Sequence, residues 1–101
     1  MAKGYWIAHV DVSDPEGWKD YQAANAVAFR KYGAVFLVRG GASEQPEGKI
    51  RSRHVILEFK DYATALACYR SPEYAAAIAK RQGKGEIDLV IVEGYDGVQP
   101  A

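Results

Sequence analysis

Two spacings of apolar residues alternate along the chain. From Gly4 to Val12 (GYWIAHVDV), Trp6, Ala8, Val10 and Val12 interleave with Tyr5, Ile7, His9 and Asp11. A period of two puts these sets on opposite faces of a strand. Ser13-Asp14-Pro15-Glu16 ends the strand and offers a helix cap with proline in the first turn. Trp18, Tyr21, Ala28 and Tyr32 then recur at near-helical spacing until Gly33, which predicts a helix over Pro15–Tyr32. Ala34–Gly40 (AVFLVRG) reads as a second strand, polar Ala42–Arg51 as a connection, and Arg53–Lys60 (RHVILEFK) as a third strand. Asp61 caps a helix with Tyr62, Leu66 and Tyr69 on one face. Ser71-Pro72 restarts a second short helix over Pro72–Gln82, with Tyr74, Ile78 and Arg81 aligned and Gly83 and Gly85 as its stop. Ile87–Tyr95 (IDLVIVEGY) is the fourth strand and Asp96–Ala101 a tail.

The order is β-α-β-β-α-β with the second helix broken. It predicts an α+β, ferredoxin-like fold with a four-stranded antiparallel sheet in the order 4-1-3-2 and both helices on one face. No linker, repeat or low-complexity tract divides the chain, so residues 1–101 are expected to form one domain. The other sheet face is bare unless a second subunit covers it.

Alternation assigns Val55, Leu57 and Phe59 to the helix side and His54, Ile56 and Glu58 to the bare side. In the second strand it sets Phe36 and Val38 against Val35, Leu37 and Arg39. The bare face then mixes Ile7, Leu37 and Ile56 with His9, His54, Arg39 and Glu58, a composition suited to a partner-covered face enclosing a polar pocket. Strand direction brings His9, Arg39 and His54 to one end of the sheet, with Arg81 expected nearby. Imidazoles that donate or accept beside a forked guanidinium suit an anionic ligand or a developing oxyanion. His9 and His54 are the candidate acid/base residues; Arg39, Arg81 and Tyr69 are candidate ligand-binding residues. Each has a structural alternative: interface histidines, an ion pair of Arg39 with Asp88 or Glu93, and helix packing for Tyr69. Gly40-Gly41 lacks the lysine and helix of a phosphate loop and is expected to form a bulge or tight bend. Lys49, Arg51 and Arg53 read as edge protection.

Composition narrows the function classes. Thirteen basic and 13 acidic residues among 101 leave no bulk positive charge, which argues against nucleic acid and anionic membranes as partners. The only cysteine, Cys68, cannot form an internal disulfide and is expected to be a small core residue in a reducing compartment. The first residues lack the apolar run of a signal peptide, and Leu89–Val92 is far short of the roughly 20 residues of a membrane span, so a cytoplasmic location is expected. A metal on His9, Asp11 and His54 is conceivable, but their spacing is not tuned for one, and no metal or cofactor is expected.

Gly4-Tyr5-Trp6, Phe36-Leu37-Val38-Arg39-Gly40-Gly41, Glu58-Phe59, Tyr69-Arg70-Ser71-Pro72-Glu73-Tyr74 and Val90-Ile91-Val92-Glu93-Gly94 resemble the domain-of-unknown-function 1330 family. The resemblance covers nearly the whole chain. It implies a dimeric α+β barrel, in which two sheets pair face to face, and a homodimer. The wider superfamily includes muconolactone isomerases, chlorite dismutases, antibiotic-biosynthesis monooxygenases and ligand-sensing domains, and fold alone does not choose among them. The expectation is a small homodimer with a polar pocket for a small organic acid or enol-type molecule. It would act as a cofactor-independent isomerase- or monooxygenase-like enzyme; the alternative is a non-catalytic small-ligand-binding module.

Overall fold

Seven elements appear in the predicted order in the computed structural model, which describes residues 2–101: β1 (Gly4–Val12), α1 (Pro15–Tyr32), β2 (Val35–Arg39), β3 (Arg53–Phe59), α2 (Tyr62–Tyr69), α3 (Pro72–Arg81) and β4 (Gly85–Glu93). The helix boundaries follow their capping chemistry. Asp14 accepts from the Gly17 N–H, Asp61 from the Thr64 N–H, and Ser71 Oγ from the Tyr74 N–H at 3.1 Å. Gly33 ends α1 at φ 71°, in the left-handed region where glycine carries no steric penalty. β4 begins at Gly85, two residues earlier than its apolar run suggests. Gly85 is therefore a strand residue, and a side chain there would press on the Trp18 ring.

The sheet order is β2-β3-β1-β4, with antiparallel neighbours throughout. β1 lies at the centre, with Ile7 opposite both Ile56 and Val90, and His9 opposite both His54 and Asp88. The helix-side row of β1 (Trp6, Ala8 and Val10) is buried with Leu57, Phe59 and the inward faces of the helices. Trp6 is the hub. Its ring meets Phe29, Tyr69 and Tyr74 edge to face at 5.4, 5.7 and 4.9 Å, and Nε1–H donates to the Ala65 carbonyl at 2.9 Å. Cys68 is buried in this layer, where desolvation pushes its thiol up to about 12.

One irregularity redistributes side chains between the faces. Phe36 pairs with Leu57 but Val38 pairs with Ile56, so β2 advances two residues while β3 advances one. Leu37 is the extra residue of a β-bulge. Beyond it the alternation is inverted. Val38 shares the bare face with Ile56, and Arg39, opposite Val55, lies on the helix side. Strict alternation had assigned both residues to the other face. The bulge lies within the strand, not at Gly40-Gly41; Gly40 instead bends the chain out of the sheet at φ 67°.

Candidate functional site

α1 packs along α3 and reaches the sheet through large side chains, whereas α2 rests directly on β1. The stand-off leaves a cavity of about 40 Å³ between α1 and the sheet, room for a few waters or the end of a small ligand. Trp18, Tyr21, Phe29 and Phe36 supply its aromatic walls. Its polar groups come from two directions: Gln22 and Asn25 from α1, and Arg39 and Arg53 from the ends of β2 and β3. The Arg39 guanidinium lies over Phe36, its carbon 4.4 Å from the ring centroid. Among the described residues, no ion pair within the chain involves Arg39 or Arg53. The backbone of Gly40 abuts Arg53: a Cβ there would sit 2.7 Å from Arg53 Nε. Gly40 therefore lets the Arg53 guanidinium lie close to the strand end.

His9 and His54 meet on the other face. Their Nδ1 atoms are 2.8 Å apart and their rings are nearly perpendicular at 75°. Beyond them is a charged rim. Arg51 contacts Glu86 at 2.7 Å and both Asp11 and Asp88 at 3.1 Å. Arg51 thus ties β1 to β4 instead of guarding an edge, and Arg53 belongs to the cavity. Hydrogen bonds from the Ser52 backbone and hydroxyl, with help from Arg51, hold the Asp11 carboxyl below the usual carboxylate range. Among the described residues, no group of three His, Cys, Asp or Glu side chains is arranged to hold a metal.

The sheet therefore separates the predicted constellation. The structure brings His9 and His54 together, but Arg39 lies across the sheet from them. Arg81 and Tyr69 belong to the helix layer. The Arg81 guanidinium lies over the Tyr21 and Tyr74 rings at 5.3 and 6.0 Å, and the Tyr69 ring packs against Trp6 and Tyr74. Burial, reinforced by the Tyr21 hydroxyl at 2.5 Å, pushes the Tyr74 phenol up. Tyr74 is thus a neutral packing residue at ordinary pH.

Sequence reasoning passed over Gln22, Asn25 and Arg53. Asn25 carried a legible signal. It lies four residues after Tyr21 and three before Ala28, so an amide interrupts an otherwise apolar helix stripe. It is 92% buried (8% exposed) and lines the cavity. A polar group on a core stripe costs stability unless it meets a partner or a ligand.

The model of the family described as "Domain of unknown function (DUF1330)" matches residues 3–95. No curated protein matches the chain in sequence. Among solved structures, a protein of unknown function from Rhodopseudomonas palustris is 17% identical with a TM-score of 0.71, covering 98% of this chain and 85% of its own. A cofactor-independent oxygenase from Streptomyces nogalater is 10% identical with a TM-score of 0.62, covering 99% and 97%. A dimeric ferredoxin-like protein of unknown function from Thermobifida fusca is 17% identical with a TM-score of 0.57, covering 91% and 89%. These likenesses establish a shared ferredoxin-like fold. The chain belongs to the DUF1330 family.

Proposed function

We propose that this DUF1330 protein is a homodimer that binds a small organic anion in the cavity beneath α1 of each subunit. The observation that carries the reading is the meeting of two guanidiniums without carboxylate partners, Arg39 and Arg53, with the amides of Gln22 and Asn25 in an aromatic-walled cavity. Guanidinium forks supply charge-assisted hydrogen bonds to a carboxylate or enolate, and the aromatic walls take the apolar body. The anionic end lies at the β2–β3 end and the rest of the ligand runs under α1 toward Phe29. A ligand larger than the present cavity is admitted by movement of α1, which rests on side chains and not on the sheet itself.

The dimer reading rests on the bare face. Val35, Leu37 and Val90 are each more than half exposed there, beside Ile7, Ile56 and Val92. A contiguous apolar face on a molecule only 16 Å thick is suited to a second sheet. The dimeric neighbour of the same fold supports it.

The lining lacks histidine, cysteine and carboxylate side chains. Binding is therefore the function the geometry supports first. Catalysis in this cavity would stabilise an anionic form of the substrate and would not use a side-chain base titrating near neutrality. The oxygenase neighbour, described as cofactor-independent, favours a second reading of that kind, in which the guanidiniums hold a substrate enolate or phenolate for reaction with oxygen.

Titration with a panel of aliphatic and aromatic carboxylates and phenolates, followed by Trp fluorescence and calorimetry, tests the proposal. At least one class is expected to bind and perturb Trp18. Loss of a charge-assisted contact in Arg39→Gln should cost about 1.5–3 kcal/mol of affinity. The melting temperature should change little, since no ion pair is broken. Binding unaffected in Arg39→Gln and Arg53→Gln, or a collapse in melting temperature with affinity intact, overturns the site.

A further inference from the structure

The histidine pair lies across the sheet from the proposed cavity and takes no part in it. His9 and His54 occupy directly opposed positions on the two central strands, so the backbone ladder holds their Cβ atoms in a fixed relation. Both direct Nδ1, not Nε2, at the other ring, and the two nitrogens stand 2.8 Å apart. Left alone, the pair shares one proton: one Nδ1–H donates and the other accepts. Two imidazole nitrogens held this way are also the donor set of a bidentate chelate, and imidazole is a good ligand for copper, nickel and zinc. The groups around the pair favour a cation. Asp88 lies opposite His9 on β4, and Asp11 and Glu86 follow on the same face, with Arg51 as the cation paired to all three.

We propose that His9 and His54 form a two-nitrogen chelate site for a divalent transition ion, with water completing the coordination. The two Nδ1 atoms are now aimed at each other across a hydrogen bond of 2.8 Å. Turning the rings about Cβ–Cγ, a broad and soft torsion, directs both lone pairs at one point about 2.0–2.1 Å from each nitrogen. Among divalent ions, copper binds such nitrogen sites most tightly, with nickel and zinc below it. A ring that ligates through Nδ1 carries its hydrogen on Nε2, so binding moves the proton between the rings to the outer nitrogen of its own ring.

The test uses the untagged full chain with CuCl2, NiCl2 and ZnCl2 as probes, in calorimetry and in electron paramagnetic resonance of the copper form. One ion per chain is expected, with copper tightest. The copper spectrum should show coupling to two nitrogens. His9→Gln and His54→Gln should each weaken binding by about tenfold or more, while circular dichroism shows both variants folded. Glu58→Gln, at the far end of the same face, should leave binding unchanged. Three results overturn the proposal: no saturable binding, binding that survives both histidine variants, or zinc binding more tightly than copper. None of them bears on the anion cavity, whose carboxylate titration is read separately.

Discussion

The two faces of the sheet are built from the same four strands and have opposite characters. On the helix side, aromatic rings converge on Trp6 and the polar groups are few and placed: one amide in a helix stripe, two guanidiniums at strand ends. On the bare side, aliphatic residues form an exposed patch and the polar groups gather at one rim as imidazoles, carboxylates and Arg51. Burial accounts for the contrast at Asn25, whereas Arg39 at its strand end is exposed. A covered face tolerates only polar groups that have a partner or a ligand, whereas an open face can hold a dense charged cluster because water screens it. The helix side therefore carries the core and the cavity proposed for an organic anion. The bare side carries the apolar patch proposed for association and the histidine pair proposed for a cation.

Substitution on each side should break a different property. Trp6→Ala removes a 1%-exposed ring with three edge-to-face partners, and should cost about 3–5 kcal/mol in urea denaturation. Ile7→Asp, at the centre of the bare face, should leave the subunit folded but weaken self-association by about 2–4 kcal/mol, as at an interface hot spot. Sedimentation equilibrium reads this directly. A parent chain that is monomeric at micromolar concentration would remove the dimer from the comparison. Gly40→Ala puts a Cβ against Arg53 and forces φ 67° on a residue with a side chain. A loss of about 1–2 kcal/mol is expected from the backbone term alone, together with weaker anion binding as Arg53 is displaced.

Acid should produce the smallest effect and act on both faces. Hydrogen bonds hold Asp11, on the bare rim, and Asp61, at the α2 cap, below the usual carboxylate value. A carboxyl depressed in the folded state contributes stability that is fully present above its unfolded pKa. That contribution is lost as pH falls through the lower folded value. The urea midpoint should thus be flat above about pH 5 and decline below about pH 4. Asp11→Asn and Asp61→Asn should each shallow that decline, and additively, since the residues share no partner. A midpoint that rises on acidification would contradict both assignments.

The fold was legible because each local signal agrees with the others. Asp14, Asp61 and Ser71-Pro72 start helices where the structure starts them, and strand direction puts His9 and His54 at the same end of the sheet, where the register sets them opposite each other. The candidate site was legible only in part, and the break falls at Leu37. Alternation counts residues, and nothing in Phe36-Leu37-Val38 announces that one of them is supernumerary; a bulge is decided by how neighbouring strands twist and pair. Arg81 and Tyr69 were misplaced for another reason. Both lie on helix faces, and from sequence a ring or guanidinium packed on tyrosines reads the same as one facing a pocket. Asn25 was available to the same reasoning as its apolar neighbours, as the polar member of their stripe.

The bulge at Leu37 decides which face of the sheet Arg39 occupies. With Phe36 opposite Leu57 and Val38 opposite Ile56, Arg39 falls opposite Val55 on the helix side. Pairing the same five residues without the bulge would put Arg39 on the histidine side and leave Arg53 as the remaining guanidinium at the cavity. Deleting Leu37 would not do this, because Val38 and Arg39 would keep their partners on β3. The placement of a charged donor is here a property of how two strands pair, and it can change with no side chain exchanged for another.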